Sequence, residues 1–422
     1  METATTVAPR TAREERGRQI ARLGGIRQLG ARYIVPSQTP GAAVPTYLVD
    51  LVDETCTCPD YETRRQRCKH QEAVLYWLAW EGTVNAETGE GTQVMKPRRR
   101  TYRQDWRSYD AAQMTERERV PHLLYSLCEG IEEPSREPGR PGRKPIPRRE
   151  AIYAIVTKVY SLCSGRRADP DIHAAVARGH LTRAWDPNTL FRAMEDEALT
   201  PILVRLIMQA SAPLASIERL AGGQYAADST GFPTVFYERW FDQKHGKLRS
   251  QHMWVKLHLM VGTVTHVVTG VWVSSDADCP VLPEMLEQTR VYHRVQEVSA
   301  DKAYLSQHNL AAIADAGAEP FIPFKVNSVG MDNPSPHWRK MWCLFQLKAE
   351  EFFKSYHRRS NVESAIGSIK ARCGGLVRSR TAAAQCNEVL AKVLLHNLAC
   401  LVHANEKYGI GIAFPLEARS PA

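Results

Sequence analysis

No apolar run in this 422-residue sequence approaches the ~18 residues that a membrane-spanning helix needs. The opening residues, METATTVAPRTAREERGRQ, are charged throughout, with no apolar stretch behind them. Neither insertion into a membrane nor export is expected, so the sequence reads as that of a cytoplasmic chain. Acidic residues are in deficit: 55 Lys and Arg stand against 46 Asp and Glu, a net charge of +9. Part of the excess sits in two runs, Lys96-Pro97-Arg98-Arg99-Arg100 and Arg140-Pro141-Gly142-Arg143-Lys144-Pro145. Such runs are either solvated linkers or contacts to a polyanion, nucleic acid first. With 43% hydrophobic residues the chain can build two or three domains and at least one sizeable core.

Most cysteines show no pairing pattern. Cys128, Cys163, Cys279, Cys343, Cys373 and Cys400 lie singly and far apart, mostly in apolar stretches, and Cys386 is similar with more polar neighbours. They fit buried, reduced thiols. The other three cluster with a histidine: Cys56, Cys58, Cys68 and His70 form a Cys-x-Cys-x9-Cys-x-His array. Three thiolates and an imidazole complete a tetrahedral zinc shell and leave no open position, so the metal is expected to be structural. TYLVDLV at 46–52 alternates like a strand, and HQEAVLYWLAW at 70–80 reads as a short apolar helix. The order resembles a SWIM-type zinc finger, placed here at residues 46–82.

Residues 1–45 form a basic N-terminal segment. Residues 83–149 are polar, basic and linker-like, with a short helical piece expected at 113–130. EEPSREPGRPGRKPIPRR, residues 132–149, carries five prolines and cannot be one helix. Its Gly-Arg-Pro-Gly-Arg core reads either as a flexible basic spacer or as arginine hooks for an A·T-rich minor groove. From 150 to 220 the pattern is helical, with segments bounded by Gly, Pro or Asp; a DNA-gripping helical domain and a plain scaffold both fit. Beyond 221 the period becomes strand-like at 225–228, 255–261, 265–273, 295–301 and 319–324, with helices at 280–290 and 306–317. The order β-β-β-α-β-α-β-α implies a mixed sheet with helices on both faces, which is the order of an α/β ribonuclease-H-like fold. In that fold the first and fourth strands are neighbours, so carboxylates at their ends, Asp228 and Asp301, converge, and Glu363 on a later helix joins them.

Around that glutamate, Tyr356, Arg359, Glu363 and Lys370 recur at offsets of 0, 3, 7 and 14. On one helix they fall at roughly 0°, 300°, 340° and 320°, a stripe about 60° wide. A mixed-charge stripe is a solvated face or a site. Tyr-x2-Arg-x3-Glu-x6-Lys, preceded by Ala-Asp-Ser-Thr-Gly and Ala-Asp-Lys-Ala-Tyr, resembles the DDE transposases of bacterial insertion sequences of the Tyr-Arg-Glu-Lys class. The resemblance covers about residues 145–410, with the catalytic domain at 221–410 and a tail at 411–422; the finger lies outside it. Only about thirty residues separate Phe324 from the signature, too few for the long β-insertion of some relatives, and Ala303 stands where relatives often have Gly.

The resemblance implies that Asp228, Asp301 and Glu363 hold Mg²⁺ or Mn²⁺, and hard cations do call for carboxylate oxygens. It assigns Tyr356, Arg359 and Lys370 to phosphates near the cleaved end, with Lys302 and Tyr304 as further DNA contacts or, for Lys302, a surface residue. His258 within an apolar strand reads as a satisfied sheet residue, Trp272 as a core side chain or a base-stacking one, and Asp276 and Asp278 as turn and cap residues. The implied function is a transposase that binds the inverted repeats of its element, cuts them and joins them to target DNA, nucleoid-associated when bound. Synapsis of two ends implies a homodimer. The alternatives are a silent, repurposed DNA-binding protein and a structure-selective nuclease of the same fold.

Overall fold

The computed structural model describes residues 12–29, 32–39, 46–51, 53–78, 83–84, 91–92, 105–134, 146–234, 254–274, 277–325, 328 and 335–415. Both basic runs, at 96–100 and 140–145, and Asp276 lie outside the described residues. The chain divides into two compact units, residues 1–104 and 105–422.

In the first unit, helix α1 (Ala12–Leu23) is followed by strands β1 (Arg27–Leu29), β2 (Arg32–Pro36), β3 (Thr46–Asp50) and β4 (Thr55–Cys56), which pair in that order as an antiparallel sheet. Short α2 (Pro59–Arg64) and α3 (Lys69–Leu78) follow, and β5 (Thr83–Val84) pairs with β6 (Gly91–Thr92). The sequence reading began the finger at residue 46. The structure begins it earlier, because Ile20, Ala21 and Ile26 share a core with Val35, Val49, Ala73, Val74 and the three cysteines. Gly17 lets α1 approach α3 closely; a Cβ there would stand 2.6 Å from Glu72 Cβ. Among the described residues, ten buried apolar and cysteine side chains make a small core, the size at which a metal supplies much of the folding energy.

The second unit opens with α4 (Trp106–Glu129), α5 (Arg148–Tyr160), α6 (Asp169–Ala177), α7 (Pro187–Met194), α8 (Thr200–Ser211) and α9 (Ala215–Leu220). Helix α4 begins seven residues before the expected 113, because the Asp105 carboxylate caps it by accepting from Ser108 N–H. The sheet comprises β7 (Gln224–Pro233), β8 (Trp254–Gly262), β9 (Val268–Val273), β10 (Glu297–Ala300) and β11 (Glu319–Phe321), in the spatial order β11-β10-β7-β8-β9. Strands β7, β10 and β11 are parallel, and β8 and β9 run antiparallel beside β7. This is the mixed ribonuclease-H-like sheet that the element order predicts. Strand β9 starts at 268 rather than 265 because Glu218, far away in sequence, holds the preceding turn: its Oε1 accepts from Val264 N–H and from Thr265 N–H and Oγ1–H.

Between β9 and β10 lies α10 (Asp278–Arg290); α11 (Gln307–Asp315), α12 (Pro336–Leu347), α13 (Ala349–Tyr356), α14 (Ser360–Cys373) and α15 (Ala382–Tyr408) complete the unit. Helices α10 to α13 cover the sheet face carrying Tyr225, Ala227 and Met260. The opposite face, with Ala226, Phe232, Leu257, Leu259 and Val261, packs on α14 and α15 and shares one core with α4 to α8. The helices expected to stand apart at 150–220 are thus part of the body that backs the sheet. Helix α15 is buried on nearly every side, and Asn397 ties it down by donating to the Ile207 and Val268 carbonyls and accepting from Val268 N–H. Glu197–Leu220 is long and apolar enough by composition to cross a membrane, but Leu203, Leu206, Ile207, Ala210 and Leu214 are buried in this core.

Candidate active site and metal centre

Strand alternation sends Asp228, Thr230 and Phe232 to one face of β7. The parallel pairing of β7 with β10 ends at Ala227↔Ala300, so Asp228 and Asp301 are the next residue on each of two adjacent strands. Asp301 follows its strand directly. Asp228 does not end its own, contrary to expectation, because β7 continues against β8 to Pro233. Glu363 stands in the first turn of α14, whose Val362, Ala365 and Ile369 pack on the same sheet face.

The Arg359 guanidinium joins two of the three carboxylates, donating from Nη1 to Asp228 Oδ2 at 2.7 Å and from Nη2 to Glu363. Burial pushes the Asp228 carboxyl above its ordinary range, as do the charges of Asp301 and Glu363; Ser229 N–H and Arg359 oppose this. Carboxylate oxygens suit a small divalent cation, but among the described residues these three do not converge into a closed ligand set, and Arg359 supplies countercharge between two of them.

The signature stretch is not one helix. Helix α13 ends at Tyr356, His357–Arg359 form a 3₁₀ turn, and α14 starts at Ser360. The stripe keeps three members together nonetheless. Lys370 Nζ donates to Thr230 Oγ1 at 2.7 Å and lies 5.3 Å from the Phe232 ring, so Arg359 and Lys370 grip alternate residues of β7. Tyr356 instead stacks on Phe352 and meets Phe353 edge to face. Lys302 is exposed in the 3₁₀ turn that follows Asp301. Tyr304 is 1% exposed and sits in the core, which removes it from the surface contacts expected of it.

Three side chains play parts the sequence reading did not assign. His258 is buried with Nδ1 3.3 Å from Asp278 Oδ1, and Lys256 Nζ approaches the same oxygen at 3.1 Å. Asp278 is therefore an ion-pair partner on the far side of the sheet from Asp228, where Ser229 faces His258. The two-residue spacing of Lys256 and His258 in an otherwise apolar strand was the available signal. Trp272, across from His258, is 37% exposed rather than core.

In the first unit, Cys56 ends β4, Cys58 caps α2 by accepting from Tyr61 N–H, Cys68 precedes α3 and His70 lies in its first turn. Their four donor atoms lie within 4.8 Å of one another. His70 Nδ1 is 3.9 Å from Cys68 Sγ and 4.0 Å from Cys56 Sγ, and the ring rests 4.7 Å from Tyr47. Edges near 4 Å are those of a tetrahedron with metal–sulfur bonds of about 2.3 Å. All four residues are buried, so the cluster fits a structural Zn²⁺.

Comparison with known families gives two matches. Residues 223–398 match the transposase DDE domain, and residues 47–76 match the SWIM zinc finger. No curated protein matches the chain. Among solved structures, a cryo-EM structure of a piggyBac transposase synaptic complex with hairpin DNA aligns over 71% of this chain and 78% of that one, at 11% identity and a TM-score of 0.34. The chain thus carries a transposase DDE domain at residues 223–398 and a SWIM zinc finger at residues 47–76.

Proposed function

We propose that the protein cuts DNA at the inverted-repeat ends of a transposable element and joins the freed 3′-hydroxyls to target DNA, using Asp228, Asp301 and Glu363 around Mg²⁺ or Mn²⁺. The observation that carries this reading is the adjacency of Asp228 and Asp301 on parallel strands, with Glu363 tied to Asp228 through Arg359. A divalent pair bound there would activate the attacking oxygen and offset charge on the leaving one. The chain's own task is to hold the scissile phosphate in line. Arg359 and Lys370 serve it by leaving their protein partners, carboxylates and Thr230, for phosphate oxygens, where a planar guanidinium binds in bidentate fashion. Lys302, exposed beside Asp301, adds a point charge next to the carboxylates. Tyr356 contributes through the aromatic stack that fixes the 3₁₀ turn bearing Arg359. Two ends must be cut together, which makes a homodimer the working form.

The test is cleavage and joining of a duplex carrying the element's own end sequence, comparing wild type with Glu363→Gln, which keeps shape and removes one charge. Wild type cuts and joins, and the variant binds as well but does neither. A wild-type protein that binds the end specifically and never cuts in Mg²⁺ or Mn²⁺ would make this a repurposed DNA-binding protein.

A further inference from the structure

A second cationic feature lies on the sheet face that carries Asp228. Lys158 of α5, the Gly374–Gly375 turn that follows α14, Arg378, and Glu388 and Lys392 of α15 line a cavity of about 100 Å³. That is several times the room one water requires and admits a tetrahedral oxyanion. Two of its charged groups are already committed. Lys392 Nζ donates to the carbonyls of Cys373, Gly374 and Leu376, each at 2.8 Å, and Glu388 accepts from Arg378 N–H, Ser379 N–H and Ser379 Oγ–H. The other two are not: among the described residues, neither the Lys158 ammonium nor the Arg378 guanidinium has a hydrogen-bond partner. Lys158 is only 6% exposed, and burial pulls its pKa down from the lysine value while Glu388 pulls it back up. A buried ammonium facing a cavity with a net excess of positive charge calls for an anion.

The position of the cavity says which anion. Lys370 and Lys392 both lie over the Phe232 ring, at 5.3 and 5.7 Å, and Val377 bonds back to Pro233 at the end of β7. Cations therefore follow β7 from Arg359 at Asp228, through Lys370 at Thr230, to the cavity beside Phe232. Four strand residues span about 13 Å, the axial rise of about four base pairs at 3.4 Å each. We propose that this cavity seats a backbone phosphate of the DNA strand lying in the carboxylate cleft, a few nucleotides from the scissile one, with Lys158 and Arg378 as its ligands. The Gly374 turn, at φ 78°, lets the backbone bend round the site. The inference rests on the DNA-cutting reading above.

The experiment uses full-length Glu363→Gln, expected to bind without cutting, and measures Kd for the end duplex across a salt series. Lys158→Met and Arg378→Gln should each weaken binding and flatten the log Kd against log salt slope, and the two together should flatten it by about 0.9, the one phosphate contact they share. Arg378→Lys should restore most of the slope. Should Lys158→Met fail to fold, Arg378→Gln, on an exposed side chain, carries the test alone. An unchanged Kd and slope in Arg378→Gln overturns the proposal. If the parent binds no DNA at any salt, the DNA-cutting reading fails first. Thermal stability in inorganic phosphate against chloride at equal ionic strength then distinguishes the two failures: a phosphate-induced rise lost in Arg378→Gln would make this a free-anion site, and no rise would make it no anion site.

Discussion

Arg359 is the residue on which the metal-free site depends. With its guanidinium between Asp228 and Glu363, the repulsion among three carboxylates is partly cancelled before any cation arrives. Arg359→Met is expected to destabilise the metal-free protein by about 1–3 kcal/mol, the range for leaving a partly buried charge without its partner. Added Mg²⁺ should then raise the Tm of the variant more than that of wild type, since binding to the native state alone stabilises it. Equal Tm responses would sink this account of Arg359. His293 makes a separate prediction for acid. It is buried between the Ser211 hydroxyl and the Tyr225 phenol, and burial drives its pKa from 6.5 to about 3. The unfolded chain takes up this proton below pH 6.5 and the folded chain does not until about pH 3, so stability contributed above 6.5 is lost across that window. The loss is about 1.4 kcal/mol per pH unit. In urea unfolding at several pH values, His293→Gln should show a shallower fall between 6.5 and 3 than wild type; identical slopes would contradict a neutral, buried His293.

At the level of elements, what was legible in the sequence was what local pattern controls. Strand alternation and helical periodicity located β8, β10 and the helices α5 to α8 to within a few residues, though β7 runs five residues past its expected end and α4 starts seven before its own, and the order alone implied that Asp228 and Asp301 would be neighbours. The misses have distant causes. Nothing at His357–Arg359, neither Gly nor Pro, announces the break between α13 and α14. The late start of β9 depends on Glu218, and the burial of Tyr304 depends on helices α10 to α13 closing over it. Gly270 shows the same dependence in a testable form. A Cβ there would lie 2.4 Å from the Met285 carbonyl oxygen, because α10 rests directly on β9. Gly270→Ala should cost about 1–3 kcal/mol by overpacking, visible as a lowered Tm with little change in zinc content. An unchanged Tm would show that helix and strand are not in such contact.

For the whole molecule, the two units carry different kinds of stability. The sheet and its helices bury a large apolar core, whereas the first unit gathers its small core around four metal-binding side chains. Cys58→Ala, or chelation, is therefore expected to release zinc and to melt α1 and β1–β3 together with the knuckle. Hydrogen exchange should show protection lost at Val35 and Val49 and retained at Val393 and Leu394. Retained protection at Val35 without zinc would contradict a metal-dependent unit. The sequence made the zinc ligands plain through their spacing, but α1 was not legible as part of this unit, since its buried face is short and only packing against α3 reveals it.

The most direct measurement is strand cleavage by Asp301→Cys in Mg²⁺ and in Mn²⁺. A thiolate is a poor ligand for Mg²⁺ and a better one for the softer Mn²⁺. If Asp301 holds the catalytic cation, the variant is inactive in Mg²⁺ and regains cleavage in Mn²⁺, while wild type cuts in both. Cleavage by the variant at the wild-type rate in Mg²⁺ would contradict the assignment of Asp301, and with it the carboxylate centre proposed here.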